Sequence, residues 1–423
     1  MTQLIIPAPP PALESIKARS LDTLGRRLLL NLLNKIELGR ITLVENGRAL
    51  HFGNQSPDYG LRATIHIHHP RFYSKTVFGG SMGAGDAYMA GMWSSDDLTA
   101  AVRIVIRNQQ LFLDLDRGWG RLMAPLQSAY HVLRRNTRRG SRDNILAHYD
   151  LGNDFYRLFL DETMTYSCGI FEDNNDDLSA ASVAKYDRIC RKIKLVPGDR
   201  VIEIGTGWGG FALHAARNYG AHVTTTTLSD QQYRYVEENV RNAGLEGQIH
   251  LLQKDYRDLT GQYDKLVSIE MIEAVGHQYL GVFFNTCSRL LKADGIMALQ
   301  AITIVDHAFD QHVRSVDFIR RYIFPGGCIP SVAAMAAAVA AKSDLRPAHL
   351  EDLTLHYART LDLWRQRFLG NLDAVRALGF PESFIRMWEY YLCYCEAGFR
   401  ERYIGNVQML FTKPLHRGKI YPE

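Results

Sequence analysis

The residues with the clearest chemical potential lie near the middle of the chain, in a short loop that follows an apolar segment. Strand residues Val201–Ile204 include the acid Glu203, and Gly205, Gly207 and Gly209 follow at alternating positions. Glycine allows sharp turns and lets a ligand lie against the main chain, because it has no Cβ atom. The helix expected next offers unpaired N–H groups. Nucleotide-like ligands bind in such a crevice at the carboxyl ends of parallel strands.

The type of nucleotide is less obvious from the glycines alone. Gly205, Gly207 and Gly210 also satisfy the dinucleotide fingerprint, which is weak evidence by itself. Glu203 suits a cationic amino-acid ligand better than a pyrophosphate, and the motif lies in mid-chain rather than in a leading cofactor domain. A nicotinamide oxidoreductase is therefore disfavoured, and a nucleotide-binding test would separate the two classes. The arrangement resembles motif I of the class I S-adenosylmethionine (SAM) methyltransferases.

Strands and helices alternate around this loop and would position it. The pattern predicts a helix at Val183–Ile193, and helices and strands then alternate as far as a strand at Gly295–Ile304. This is an α/β doubly wound, Rossmann-like sheet, followed by a helical cover at about 331–342, 357–376 and 382–398 and a last strand near Asn406–Phe411. The insertion between about 305 and 345 is too large for a simple connection, so we expect it to cover the active site.

The first 125 residues predict a small α+β domain of their own. Asn46 and Gly47 separate two apolar segments, which is a strong hairpin signal, and Ala63–His69 alternates like a strand. His66 and His68 would share one face of that strand. No third ligand is nearby, so we expect a structural role and no metal site.

Two basic segments each allow two interpretations. Apolar residues recur at helical spacing from Leu13 to Ile36 with lysines and arginines between them, which fits either a helix lying on anionic lipid or one packed on its own domain. The linker 126–146 contains five arginines between Arg134 and Arg142, which fits either a solvated connection or contact with phospholipid headgroups. The catalytic domain is expected over residues 147–423.

Composition sets broader limits. The chain has 423 residues, a net charge of +4 and 22% charged residues, which is typical of a globular protein and does not imply nucleic acid as a partner. Six cysteines lack metal-ligand or secretory spacing, and the N-terminus does not resemble a signal peptide, so we expect free thiols in the cytoplasm. No apolar run reaches transmembrane length.

Several further segments carry a resemblance to one family. They are His148–Tyr156, Met164–Cys168, Thr226–Ser229 with Gln232, Ser268–His277, Arg321–Ser331 and, in the first domain, Gly83–Trp93. Together they resemble the cyclopropane-fatty-acyl-phospholipid synthases over nearly the whole chain. The resemblance implies transfer of the SAM methyl group to a cis double bond of a phospholipid acyl chain, followed by proton loss that closes a cyclopropane.

The resemblance also assigns residues to the cofactor. Motif I would place SAM over Gly205, Gly207 and Gly209, with Glu203 toward its amino group. Tyr166 and Ser167 would lie near the sulfonium end. Thr227, Leu228 and Gln232 would hold the ribose, and Asp255 with Tyr256 would flank the adenine.

In this family the base is thought to be a bicarbonate ion. Its ligands here would be Cys168, Glu273, Tyr357 and the backbone at Ile302. Better-known members have a histidine where this chain has Gln300, and glutamine cannot take on charge. Bicarbonate would then be held less tightly, or another base would act. Glu270 is a candidate base, and the alternative is that it only hydrogen-bonds a neighbouring element.

The departure at Gln300 leaves several functions open. The leading interpretation is a cyclopropane synthase. The closest alternative is a sister lipid C-methyltransferase that makes a methyl- or methylene-branched chain, and a remote one is an inactive lipid-binding protein. The expected partners are unsaturated phospholipids at a membrane surface, contacted peripherally from the cytoplasmic face, and the resemblance allows a homodimer.

Overall fold

The computed structural model describes residues 20–53, 60–112, 151–173 and 177–420. The predicted linker 126–146, its arginines and residues 148–150 lie outside these ranges. The first described part contains α1 (Ser20–Leu33), β1 (Arg40–Glu45), β2 (Arg48–Gly53), β3 (Arg62–Ile67), α2 (Arg71–Met89), β4 (Trp93–Ser95) and α3 (Leu98–Arg107). Its four strands form a sheet in the order β2-β1-β3-β4.

The predicted hairpin between β1 and β2 is confirmed. Asn46 and Gly47 both have positive φ, 49° and 73°, which a two-residue type I′ turn requires. The two strands pair antiparallel on either side of them. The two histidines of β3 and the residue after it have different surroundings. His68 Nε2 lies 2.7 Å from Ser94 Oγ, and His66 is exposed. Within the described ranges no cluster of three or more His, Cys, Asp or Glu residues could hold a metal ion.

Helix α1 has two different faces. One buries Asp22, Gly25, Leu29 and Leu33, and α1 packs along α2. The opposite face leaves Leu21 60% and Leu24 44% exposed. The structure is compatible with both interpretations of this basic segment. The helix packs on its own domain, and it also presents leucines to solvent that could contact lipid.

The second part holds the large sheet and its helices. They are α4 (Asn153–Arg157), α5 (Leu178–Lys192), β5 (Arg200–Ile204), α6 (Gly210–Tyr219), β6 (His222–Thr226), α7 (Asp230–Asn242), β7 (Ile249–Leu252), β8 (Tyr263–Ile269), α8 (Leu280–Leu290), β9 (Leu291–Ile304), α9 (Phe309–Arg314), α10 (Val332–Lys342), β10 (Arg346–Asp352), α11 (Thr354–Gly370), α12 (Leu372–Ala377), α13 (Glu382–Arg400) and β11 (Ile404–Thr412). Local signals set several helix starts: Asp177 caps α5 by accepting from Ala180 N, and Ser229 caps α7 by accepting from Gln232 N.

The strand order of this sheet is β10-β11-β9-β8-β5-β6-β7. The five strands from β9 to β7 are parallel, which confirms the doubly wound sheet, whereas β11 pairs antiparallel with β9 and β10 antiparallel with β11. The sequence pattern does not predict β10, because this edge strand contains Pro347 and is mostly exposed. The prediction of one continuous helix at 357–376 is wrong, because Asn371 separates α11 from α12.

The two parts pack together through α13, which contacts both α2 and α3. Tyr88 OH donates to Glu389 Oε2 at 2.7 Å, and Thr99 Oγ1 donates to Glu396 Oε2 at 2.9 Å. One hydrophobic cluster contains residues from both parts. None of the helices in the described part of the chain combines the length and apolar character that crossing a bilayer requires.

Candidate active site

The glycine loop lies at the carboxyl end of β5, as the sequence predicts. Gly205, Gly207 and Gly209 all have positive φ, at 97°, 53° and 88°. A Cβ atom on Gly205 would approach the Met271 side chain to 3.0 Å, whereas one on Gly207 would meet nothing within 4 Å. The first glycine therefore allows close packing beneath the loop, and the second faces open space.

A cleft runs along this loop and across the ends of the parallel strands. Most of the residues that the resemblance assigns to the cofactor line it: Tyr166, Ser167, Glu203, Gly205, Gly207, Thr227, Leu228, Gln232, Asp255 and Tyr256. Gly209 is not in the lining, although its neighbours Trp208 and Gly210 are. Glu270 also lines the cleft. The positive-φ loop, the buried acid and the polar far end fit a nucleoside that carries an amino acid.

Glu203 is the buried acid of this cleft. Only 2% of it is exposed, and its Oε2 accepts from Thr225 Oγ1 at 2.6 Å. Burial raises the pKa of Glu203 to about 8, and the bond from Thr225 and the charge of Lys185 oppose that rise. A cationic group of the ligand would restore the ionised carboxylate by compensating its charge.

The far end of the cleft is set by short polar contacts. Asp255 forms an ion pair with Arg257, whose Nε lies 2.7 Å from Asp255 Oδ1. Thr227 Oγ1 donates to Gln232 Oε1 at 2.8 Å, which leaves the amide nitrogen of Gln232 directed elsewhere. These contacts hold the groups assigned to ribose and adenine in place.

Lys185 is a cation beside the cleft that sequence reasoning missed. It is fully buried, its Nζ donates to Ser167 Oγ at 2.6 Å, and Nζ lies 4.6 Å from the Tyr186 ring centre. Burial lowers the pKa of Lys185 to about 8. Lys185 lies on the apolar face of α5, one turn after Ala181 and one turn before Ile189. A lysine at such a position is expected to be buried, so the sequence could have revealed it.

Behind the cleft, Glu270 is the centre of a buried polar cluster. It follows β8 with φ of 47°, a left-handed conformation that is costly for a residue other than glycine. Its carboxylate accepts four hydrogen bonds, from Cys168 N at 3.0 Å, Gln300 Nε2 at 2.8 Å, Asn406 Nδ2 at 2.7 Å and Tyr357 OH at 2.9 Å. Four donors from different elements therefore hold this carboxyl group in one orientation.

Gln300 is wholly engaged in this cluster. Its Nε2 also donates to Cys168 O at 3.3 Å, and its Oε1 accepts from Gln408 Nε2 at 2.9 Å. Asn406 and Gln408 were missed as site residues. The available signal was polar side chains alternating with apolar ones in the last strand, β11, where both are buried.

Glu273 is a second buried acid in the cluster. Its Oε1 accepts from Ile302 N at 2.5 Å, whereas Oε2 has no hydrogen-bond partner. Burial, and then the charge of Glu270, raise the pKa of Glu273 to about 8. Cys168 is fully buried, and burial raises the pKa of its thiol, which lies 3.2 Å from Gly169 O. Burial therefore favours the protonated form of both groups.

We expect the insertion between about 305 and 345 to cover the active site, and its residues 315–330 do lie over this cluster. We call residues 315–330 the cover segment. Cys328 N donates to Glu273 O at 2.8 Å, and the Phe324 ring lies 6.3 Å from Tyr166. Tyr322 OH donates to Asp86 Oδ1 in α2 at 2.6 Å. The cover is thereby tied both to the acids beneath it and to the first domain.

The contacts do not fit a bicarbonate ion held by the predicted ligands. Tyr357 and Gln300 donate to Glu270, and the Ile302 N–H donates to Glu273. An added anion would meet two carboxyl groups whose donors are already in use.

A comparison with known families identifies the type of protein. The family model described as mycolic acid cyclopropane synthetase matches residues 136–409, which is more than half of the chain. The chain belongs to this family. It is therefore a SAM-dependent methyltransferase with the class I fold, and SAM is its cofactor.

Curated relatives extend the similarity into the first domain. The tuberculostearic acid methyltransferase UfaA1 of Mycobacterium tuberculosis is 39% identical over 354 residues, which is 82% of each chain. The cyclopropane-fatty-acyl-phospholipid synthase of Escherichia coli K12 is 36% identical, over 84% of this chain and 89% of the relative.

Among solved structures, the mycolic acid cyclopropane synthase CmaA1 complexed with SAH and CTAB is similar to the catalytic part. It is 34% identical with a TM-score of 0.60, and the match covers 64% of this chain and 98% of CmaA1.

Proposed function

We propose that this methyltransferase acts on a cis double bond of an unsaturated acyl chain in a membrane phospholipid, and that proton loss then closes a cyclopropane. The observation that carries the proposal is that Glu270 belongs both to the wall of the cofactor cleft and to the buried cluster behind it. A cofactor in the cleft and a cation formed beside it would therefore meet the same fixed carboxylate.

Aromatic rings line the junction between the cleft and the cluster. The Tyr166 ring lies 5.1 Å from Trp364, and Trp364 lies 6.1 Å from Tyr357. The Tyr166 hydroxyl lies 2.8 Å from that of Tyr391. Aromatic faces stabilise a cation and exclude the water that would trap it. Bound SAM supplies an activated methyl group, and these side chains would hold the alkene against it.

The phospholipid substrate is supported by the relatives and by the surface of the first domain. One relative is named a synthase of cyclopropane-fatty-acyl phospholipids. Helix α1 exposes Leu21 and Leu24 beside the exposed Arg27, which is the composition of a helix that touches an anionic bilayer. We place the enzyme peripherally on the cytoplasmic face of the membrane for this reason.

A branched product is the second candidate, and Gln300 is the observation that favours it. The histidine of better-known members is absent, and Gln300 is engaged with Glu270 and Gln408. Proton loss from a neighbouring chain carbon would leave a methyl-branched alkene. A hydride shift to the cationic carbon, followed by proton loss from the added methyl group, would leave a methylene branch. The relative with 39% identity is named a tuberculostearic acid methyltransferase, not a cyclopropane synthase.

The test is mass spectrometry of fatty acids after incubation of the protein with SAM and vesicles of cis-unsaturated phospholipid. A gain of one CH₂ without a remaining alkene supports the cyclopropane. A gain of one CH₂ with an alkene supports the methylene product. No gain on any of several lipids, with SAM still bound, contradicts both products for these substrates.

A further inference from the structure

Three donors at the position that the resemblance assigns to an external anion are bound to carboxyl groups of this chain. Tyr357 OH lies 2.9 Å from Glu270 Oε2, and Gln300 Nε2 lies 2.8 Å from Glu270 Oε1. Ile302 N lies 2.5 Å from Glu273 Oε1. Two of these donors therefore already serve Glu270, an acid that is part of the protein.

A chain of hydrogen bonds fixes the direction in which Gln300 donates. Lys192 Nζ donates to Gln408 Oε1 at 2.7 Å, and Gln408 Nε2 donates to Gln300 Oε1 at 2.9 Å. Gln300 and Gln408 are opposite each other in the β9–β11 register. Because an ammonium only donates and a carboxylate only accepts, the two ends determine both amide orientations. The amide of Gln300 therefore donates to Glu270.

Glu270 and Glu273 have different positions and different partners. Glu270 lines the cofactor cleft and receives four donors. Glu273 does not line the cleft, and its Oε2 has no partner. Of the two acids, Glu270 is the one that faces the cofactor.

We infer that the Glu270 carboxylate itself accepts the proton of the reaction, so that this enzyme needs no bicarbonate. The inference rests on the proposed function. The alkene electron pair forms the new bond to the methyl carbon as the carbon–sulfur bond breaks, which leaves a cation on the acyl chain. A C–H bond of the added methyl group then breaks and its electron pair closes the ring, or a C–H bond on a carbon next to the cation breaks and its electron pair forms a new alkene. In either case the proton goes to Glu270. The proton returns to solvent before the next turnover.

The position of Glu270 matters more than its strength as a base. The C–H bonds of the added methyl group and of the neighbouring chain carbons become strongly acidic once the cation has formed, so a carboxylate in the right place suffices. The anion also lies where it stabilises the cation before the proton leaves. Lys192, Gln408 and Gln300 act through Glu270 and are positioning residues.

The first test removes carbon dioxide and bicarbonate from the buffers and follows CH₂ addition by wild-type protein, with bicarbonate restored in a parallel sample. We expect the rates to agree within about twofold. A loss of more than about tenfold that bicarbonate restores overturns the inference and leaves the proposed function standing. No CH₂ addition in either sample overturns the proposed function and the inference with it.

The second test uses Glu270→Gln and Glu270→Ala, with SAM binding measured first to show that each variant is folded. We expect turnover to fall roughly 100-fold or more, the usual contribution of a catalytic base. Sodium formate should restore part of the activity of Glu270→Ala, because the donors remain. Glu389→Gln is the matched control, since Glu389 accepts from Tyr88 OH as Glu270 does from Tyr357, but lies outside the cleft. Full turnover by Glu270→Gln overturns the inference.

Discussion

At the scale of single residues, the site depends on ionisable groups removed from water. Glu203 and Glu273 both have a pKa raised to about 8 by burial, and burial lowers the pKa of Lys185 to about 8. Each of these groups can change charge close to neutral pH. Cofactor binding and stability should therefore both depend on pH.

The affinity for SAM should increase with pH because of Glu203. Below pH 8 the free protein holds a proton on Glu203 that a cationic ligand must displace. We expect the dissociation constant to fall by up to about tenfold per pH unit between pH 6 and pH 8. Isothermal calorimetry measures this slope. Glu203→Gln should bind more weakly and without the slope, and an unchanged slope in that variant would assign it to another group.

Glu273 should destabilise the fold as the pH rises. Its pKa is about 8 in the folded protein against 4.5 for an ordinary glutamate side chain, so the folded state binds more protons between these values. The free energy of unfolding should fall over this window and level off above pH 8. Glu273→Gln should lose this dependence, so its melting temperature should gain on wild type from pH 5 to pH 8. The exposed Glu237→Gln serves as control, and parallel curves for Glu273→Gln and wild type would contradict the assignment.

At the scale of secondary structure, two strands of different origin meet at the site. Strand β9 belongs to the parallel sheet and carries Gln300, whereas β11 comes last in the chain and carries Asn406 and Gln408. Their antiparallel pairing places Gln408 opposite Gln300. Because strand residues alternate between faces, a shift of one residue would remove Gln408 from this cluster.

Replacing Gln408 should impair turnover without affecting the cofactor. Gln408→Leu removes the acceptor of Lys192 and the donor to Gln300, so the Gln300 amide is free to rotate away from Glu270. We expect kcat to fall roughly tenfold, consistent with a misplaced catalytic group. The dissociation constant of SAM should stay within twofold.

The conservative Gln408→Glu variant is a useful companion to that experiment. It keeps an acceptor for Lys192 but lacks the N–H that reaches Gln300, so it should be impaired as well. The partly exposed Gln366→Leu, in α11, should behave as wild type. Normal turnover in both Gln408 variants would show that Gln300 keeps its orientation without Gln408.

At the scale of the whole molecule, the first domain is joined to the catalytic domain near the site. Helix α13 packs on α2 and α3, and Tyr322 of the cover segment bonds to Asp86 of α2. The exposed face of α1 belongs to the same small domain. A membrane contact made by α1 would therefore bring the cover, and the acids beneath it, close to the bilayer.

Removing the exposed leucines of α1 should weaken binding to vesicles. Leu21→Gln combined with Leu24→Gln removes apolar surface that would be buried in the interface, and we expect roughly tenfold weaker co-sedimentation with anionic vesicles. SAM affinity should not change. Leu378→Gln, which alters a leucine that is 45% exposed elsewhere, is the control. Equal binding by the double variant and this control would place the docking surface outside α1.

The sequence by itself determined the class of fold and the loop that we assign to the cofactor. Glycines at alternating positions behind an acid require a tight loop at a strand end, and alternating helices and strands leave few arrangements besides a doubly wound sheet. These are local signals, because each depends on residues close together in the chain. Gly205 and Gly207 do line the cleft, and β5 lies where the pattern predicts it.

Only the tertiary structure decided what Gln300 and Glu270 do. From the sequence, Gln300 only replaces the histidine of better-known family members. Glu270 is either a base or an acid that hydrogen-bonds a neighbouring element. Their partners Tyr357, Asn406 and Gln408 come from α11 and β11, far away in the chain. No local pattern specifies which buried polar groups meet, because strand register and helix packing bring them together. Those contacts make Glu270 a fixed anion and Gln300 its donor.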